Sequence, residues 1–256
     1  MIISHKHRFI FLKTNKTAGT SIEIALSKFC GPEDVITPIS PADEEIRRGL
    51  GYPGPQNYMA PWRDYGLRDL ALLVLKGHRK MRYFNHISGR EVRELVGAKV
   101  WNSYYKFCFE RNPYDRVISH YYWCNRTEPR PPLSSFIHSP KALALKRRGY
   151  GVYTIDGEVA VDRICRYEAI AEELEEVRKV IGLPEPLELP RAKSKTRADN
   201  RSYREVLGEE ERSWIARTFG EEMRLMGYRF LLPIWCCVSV SLPWLQDMLS
   251  DLLTDA

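Results

Sequence analysis

The stretch RFIFLKTNKTAGTSIEIALSKF, residues 8–29, decides the fold. Its opening, RFIFLK, is a short apolar run rich in β-formers and bounded by polar residues, as expected of a buried central strand. The small, polar KTNKTAGTS follows, and then SIEIALSKF. There Ile22, Ala25, Leu26 and Phe29 fall at i, i+3, i+4, i+7 and give a helix one apolar face. Residues 8–29 thus predict strand, loop, helix. A second such unit spans residues 104–124. YYKFCFE alternates and is β-rich, and it runs into RNPYDRVISHYYW. Asn112 suits an N-cap, Pro113 the first helical position, and Val117, Ile118, Tyr121 and Tyr122 a helical stripe.

Working outward, residues 31–66 are loop-rich and Pro-punctuated, with one short helix near 41–48. LALLVLKGH, residues 70–78, reads as a third strand, and a short helix is expected around Arg90–Val96. Residues 126–160 read as irregular. YEAIAEELEEVRKVIG repeats Ile170, Leu174, Val177 and Ile181 at helical spacing and is stopped by Gly182 and Pro184; a last helix is expected over 208–226. Strands alternating with helices predict an α/β, three-layer fold with a central, mostly parallel sheet flanked by helices. The expected division is one domain over 1–230 and a hydrophobic C-terminal extension over 231–256.

Composition bounds the function. The chain has 256 residues, 44% hydrophobic and 28% charged, enough to bury a full core. A net charge of +6 is a mild basic bias, suited to an anionic ligand and below that of a dedicated nucleic-acid binder. The six cysteines show no metal-ligand spacing and no disulfide framework, which points to a reducing compartment and to no metal. The N-terminus lacks the pattern of a signal peptide. Pro233 and Pro243 interrupt the apolar tail, so it falls short of the roughly 20 residues of a spanning helix, and membrane association is not expected.

In such folds anions bind at the carboxyl edge of the sheet, where helix N-termini present N–H groups. The first unit places Lys16, Thr17, Ala18, Gly19, Thr20 and Ser21 there. Small residues let the backbone wrap a phosphate, the hydroxyls add donors, and Lys16 adds charge. The loop is phosphate-binding in character but differs from GxxxxGK[ST]: its Lys comes first, and no GK[ST] occurs. The second unit offers Arg111 at a strand end and Ser119 eight residues later, about 9 Å along the helix from Pro113 at 1.5 Å per residue. They could converge on a second anionic group.

Together these residues carry a family resemblance. FIFLKTNKTAGTSIE resembles the 5′-phosphosulfate loop, and YYKFCFERNPYDRVISHYY the 3′-phosphate motif, of P-loop-like sulfotransferases that use 3′-phosphoadenosine 5′-phosphosulfate (PAPS), in particular the carbohydrate-type family 2. LKGHRKMRYF, DRICRYEAIAEELEEV and SYREVLGEEERSWIARTFGEEMRLMGYRF are similar to further segments of that family, in order, over residues 8–230. The chain departs from the pattern at Asn15, where the family has Pro, and at Glu110, where it has Val. A carboxylate beside an anion site is awkward unless it points away or pairs with an Arg.

The resemblance implies sulfuryl transfer to an acceptor hydroxyl, with a carbohydrate as the expected partner and no nucleic acid. It places Lys16 at the bridging oxygen of the leaving group, the amides from Thr17 to Ser21 around the 5′-phosphosulfate, and Arg111 and Ser119 on the 3′-phosphate. Lys195, Arg197 and Tyr203, in a segment with six Lys/Arg over 191–204, would cover the nucleotide. His78 matches the family's Gly-His position and is the expected base; His120 is expected to pack against the sheet, and His5 and His7 lie at the opposite edge. Two alternatives stay open: a P-loop nucleotide or small-molecule kinase, and a non-catalytic polyanion binder. A bacterial cytoplasm is the expected location, or the Golgi lumen for a trimmed eukaryotic catalytic domain.

Overall fold

The computed structural model describes residues 1–190 and 201–230. In chain order the elements are β1 (Ile2–Ser4), β2 (Phe9–Phe11), α1 (Gly19–Ser27), β3 (Val35–Ile36), α2 (Pro41–Gly49), α3 (Leu67–Lys76) and α4 (Gly89–Ser103). Then come β4 (Tyr105–Glu110), α5 (Pro113–Cys124), α6 (Leu133–Ile137), α7 (Pro140–Arg147), α8 (Tyr150–Tyr153), β5 (Thr154–Ile155) and β6 (Glu158–Val159). β7 (Arg163–Arg166), α9 (Ile170–Ile181), α10 (Tyr203–Val206), α11 (Glu209–Thr218) and α12 (Gly220–Met226) complete the described chain.

The central sheet has the order β3-β1-β2-β4-β7. β2 pairs in parallel with β4, and β4 with β7, while β1 is antiparallel to both β2 and β3, so only β1 runs against the rest. Alternation along the strands builds a core on each face. Phe9, Phe11, Phe107 and Phe109 pack with Ile22 and Leu26 of α1 and Leu174 and Val177 of α9. Ile10, Leu12 and Cys108 face the other way, against Val92 and Trp101 of α4 and Val152 and Tyr153 of α8. A third cluster joins Val117 and Ile118 of α5 to Leu145, Ile215 and Phe219. The predicted α/β sheet between helical layers is therefore present.

Three expectations are corrected. LALLVLKGH is not a strand: residues 67–76 form α3, because a short apolar run has no periodicity that separates a strand from a helix. Residues 126–160 are not irregular; they hold α6, α7, α8 and the β5–β6 hairpin, each too short to leave a periodic signature. The single helix expected over 208–226 breaks at Phe219 into α11 and α12. β1 and β3, three and two residues long, escaped the sequence reading altogether.

Two buried ion clusters anchor the helices to the sheet. Glu23 of α1 is fully buried and meets Lys13 at 2.6 Å, the Met1 α-amino group at 3.0 Å and Arg47 at 3.8 Å. Burial pushes its carboxyl pKa up, but Lys13 foremost, then the α-amino group and Arg47, pull it further down, below its ordinary value. Glu110, at the end of β4, is equally buried and pairs with Arg116, which also meets Glu222 at 3.2 Å. The Tyr153 hydroxyl donates to Glu110 Oε2 at 3.1 Å and the Arg111 amide to its Oε1 at 2.9 Å. The departure at Glu110 is thereby explained: its carboxylate points into the core, away from the sheet edge.

Glu110→Gln removes the nearer of the two carboxylates from the buried Arg116, leaving Glu222, and should cost about 3–5 kcal/mol of stability. Urea unfolding followed by circular dichroism measures it; a loss below about 1 kcal/mol would show that Glu222 suffices as the counter-charge.

Candidate functional site

The parallel register of β2 on β4 sets the site. Phe9 lies opposite Tyr105 and Phe11 opposite Phe107, and the Leu12 amide continues the ladder to Phe107 O at 2.9 Å. Both strands therefore end at the same edge, with the residue 13–18 loop beside Arg111. Thr14 Oγ1 donates to Phe109 O, and Arg111 Nη1 donates to Lys16 O at 3.2 Å. The two predicted motifs are stitched to each other.

A cleft of about 510 Å³ opens where they meet. From the first unit Lys16, Ala18, Gly19, Thr20 and Ser21 line it; from the second, Arg111, Ser119, Tyr122 and Trp123. The loop backbone is held tightly. Lys16 and Ala18 take left-handed conformations, φ +69° and +56°, which cost non-glycine residues about 1–2 kcal/mol each and concentrate at functional sites. Gly19 opens α1, and a Cβ there would lie 2.8 Å from Lys13 Cγ. Only glycine lets the helix start this close to the Lys13–Glu23 pair.

Thr17 differs from the expectation. It is buried and its hydroxyl is bonded to Thr14 at 2.9 Å, so it braces the loop from beneath rather than lining the cleft. The Asn15 amide donates to Arg148 O at 2.8 Å, a bond that proline could not make. This anchors Arg148, which also lines the cleft.

Arg111 is positioned from three sides. Its Nε donates to Asp115 Oδ2 at 2.9 Å, Nη2 donates to the same oxygen, and the guanidinium lies 4.2 Å above the Tyr167 ring. With one Nη1 hydrogen on Lys16 O, these contacts leave one hydrogen on each terminal nitrogen for an anion. Lys16 Nζ lies 5.7 Å from the Trp123 ring centroid. Trp123 and Arg148 also line an adjoining cavity of about 650 Å³, with His120, Arg126 and Lys141.

The structure brings a different histidine to the cleft from the one expected as base. His78 follows α3, is exposed and does not line the cleft. His86 does line it. Its Nδ1 lies 2.8 Å from Lys13 O, and a carbonyl only accepts, so Nδ1 carries the proton and Nε2 the lone pair. Burial foremost, with the Lys13 charge adding to it, drives His86 down to about 4, the bond to the Lys13 carbonyl only partly opposing. It is a neutral imidazole at pH 7. Two residues before the Ser88–Glu91 capping box of α4, it stands just ahead of a helix N-terminus. That was the available signal, and the false strand at 70–78 drew attention to His78 instead. His120 is buried against α7, with Nε2 3.1 Å from Lys141 O, rather than against the sheet.

Of the residues expected over the nucleotide, Lys195 and Arg197 lie outside the described residues. Tyr203 stacks on Tyr114 at 5.9 Å and accepts from Asn112 Nδ2 at 3.4 Å, one residue from Arg111 but away from the cleft lining. Among the described residues no group of three His, Cys, Asp or Glu side chains is placed to hold a metal ion, and no helix is long and apolar enough to cross a membrane.

Residues 1–148, which contain both motifs and the whole β2–β4 edge, match the family model described as sulfotransferase family. The chain belongs to the sulfotransferase family. An uncharacterized protein of Archaeoglobus fulgidus is 37% identical over 119 residues, covering 45% of this chain and 96% of that protein. No solved structure matches. Membership supports sulfuryl transfer as the general activity.

The tautomer and charge of His86 are directly measurable. Histidine-selective ¹⁵N NMR should show an Nδ1–H imidazole that titrates near pH 4 in the ligand-free protein. A midpoint near the ordinary 6.5 would mean that the ring is solvated and turned out of the cleft.

Proposed function

We propose that the chain transfers the sulfuryl group of PAPS to a hydroxyl of a carbohydrate acceptor, within a P-loop-like domain spanning residues 1–230. The single observation carrying this reading is that Lys16 and the α1 N-terminus share one cleft with Arg111 and Ser119. A donor with phosphates at both ends of its ribose needs two anion sites, and a nucleotide without the 3′-phosphate needs one.

In this reading the amides opening α1, with Thr20 and Ser21, hold the 5′-phosphosulfate, and Arg111 and Ser119 hold the 3′-phosphate. Tyr122 and Trp123 offer apolar faces beside them. The adjoining cavity across Trp123 and Arg148 is the acceptor side, where an aromatic face and exposed cations suit a sugar ring bearing charge.

The reaction is an in-line displacement at sulfur. The acceptor oxygen forms a bond to sulfur while the sulfur–phosphate oxygen bond breaks. Its electron pair stays on the 5′-phosphate of 3′,5′-bisphosphoadenosine, where Lys16 neutralises it, and the hydroxyl proton passes to His86 Nε2. An imidazole of pKa about 4 is a weak base in the ligand-free cleft. The donor's negative charge beside it raises that value, so the base strengthens once the donor is bound.

Arg111→Ala should weaken binding of 3′,5′-bisphosphoadenosine at least about tenfold and leave 5′-AMP almost unchanged, as titration calorimetry would show. Equal losses for both nucleotides would remove the 3′-phosphate contact. Lys16→Ala should lower kcat about 10²–10³-fold without unfolding the protein.

His86→Ala should lower turnover of labelled sulfate about 10²–10⁴-fold while bisphosphoadenosine binding is retained. His78→Ala measured in parallel decides between the two histidines: loss of turnover in that variant alone would return the base to His78.

A further inference from the structure

Helix α3 turns its larger apolar face outward. Leu67, Leu70, Ala71, Val74 and Leu75 recur at i, i+3, i+4, i+7 and i+8, the pattern of a core-facing stripe. In this fold that stripe faces solvent: Leu67 is 88% exposed, Val74 83% and Leu75 80%, and no residue of α3 is buried. Trp62, on the turn leading into the helix, is 63% exposed. The polar contacts lie on the other side. Asp69 accepts from the Gly66 amide at 3.0 Å and from Lys80 Nζ at 2.7 Å, and the Lys80 amide donates to the Tyr65 hydroxyl at 2.9 Å. The segment leaves and rejoins the body at one point, where Met59 bridges Met81 and the Ala60 amide donates to Lys80 O at 2.9 Å. It is a hairpin-like module held by the Asp69 and Lys80 contacts and by the half-buried Leu72 and Leu73 on its inner side, with a second, broader apolar face outward.

Its charge identifies what covers that face. Residues 61–82 carry six Lys/Arg against two Asp. Lys80 is spent on Asp69, while Arg68, Lys76 and Arg79 are exposed, Arg79 over the Trp62 ring at 5.9 Å. An apolar strip about 15 Å long at 1.5 Å per residue, with an exposed Trp and these cations nearby, matches an acyl layer beneath anionic headgroups. A folded protein partner would offer acidic side chains at fixed points; here Arg68 borders the stripe, Lys76 ends the helix and Arg79 lies over the exposed Trp62 ring, a diffuse set of cations that suits a fluid anionic surface.

We propose that α3 and the Trp62 turn form an interfacial anchor that seats the protein on an anionic lipid surface. This is a surface-lying contact, distinct from a membrane span, and it does not depend on the identity of the sulfuryl donor. His86 follows Met81 by five residues, at most about 18 Å of extended chain, so a seated α3 keeps the cleft near the lipid. An acceptor presented from that surface would be within reach.

Vesicle flotation with the full chain tests it. The wild type should float with phosphatidylcholine vesicles containing phosphatidylserine, much less with phosphatidylcholine alone, and less as salt is raised. Leu67→Ser/Val74→Ser/Leu75→Ser should reduce the floating fraction at least about tenfold with an unchanged melting temperature, since the three side chains touch solvent in the free protein. A wild type that stays in solution with both vesicle types overturns the proposal. So does a triple variant that floats as well as the wild type, which moves any lipid contact elsewhere on the chain. Sedimentation showing a wild-type dimer that the triple variant dissolves would assign the face to a second copy and overturn it equally.

Discussion

The parallel pairing of β2 with β4 is the constraint on which the rest depends. Neither motif makes a site alone: a glycine-containing loop before a helix binds one anion weakly, and an arginine at a strand end is usually a surface charge. Side by side and in register, the two strands deliver their loops to one edge. The bonds from Thr14 to Phe109 O and from Arg111 to Lys16 O then fix their separation. The cleft is a consequence of strand register, and a slip of one residue would turn Phe9, Phe11, Phe107 and Phe109 out of the core they share.

Buried charge defends that arrangement. Glu23 and Lys13 lock the start of α1 against the end of β2, and Gly19 makes room for them. Glu110 and Arg116 do the same for β4 and α5. Such pairs contribute little net stability, because desolvation offsets much of their attraction, but they penalise any packing that separates them. Both lie near the sheet edge where the cleft opens, Lys13 lining it and Glu110 preceding Arg111. Their effect is directional: they hold the ends of two strand–helix units at one spacing.

What could be read from the sequence follows from how far each signal extends. The β2–α1 and β4–α5 units were legible because apolar periodicity, an Asn112 N-cap and loop composition agree within about twenty residues. β1, β3 and α6 to α8 were not, since elements of two to eight residues carry too few positions for a period to emerge. Arg111, Lys16 and Ser119 were expected at one anion-binding edge from the sequence, and the topology brings all three to one cleft. His86 and Arg148 were not singled out: the capping box after His86 marks a helix start rather than a site, and a carbonyl of Lys13 and an amide of Asn15, about 70 and 130 residues away, bring the two to the cleft. The misreading of residues 70–78 has a sharper cause. A continuous apolar run is expected to be buried, and in α3 the larger apolar side is the exposed one.

In the proposed mechanism His86 joins binding to chemistry. A histidine left at its ordinary value of about 6.5 would be roughly one quarter protonated at pH 7 before any donor arrived, and an imidazolium cannot take a proton. Burial and Lys13 keep the ring neutral, and the Lys13 carbonyl orients the Nε2 lone pair. The cost is low basicity. That cost falls when the cleft fills with negative charge, which stabilises the imidazolium formed as the acceptor hydroxyl loses its proton. On that mechanism the donor would supply part of the basicity that its own reaction requires, and the ligand-free cleft would hold a base too weak to be protonated uselessly by solvent.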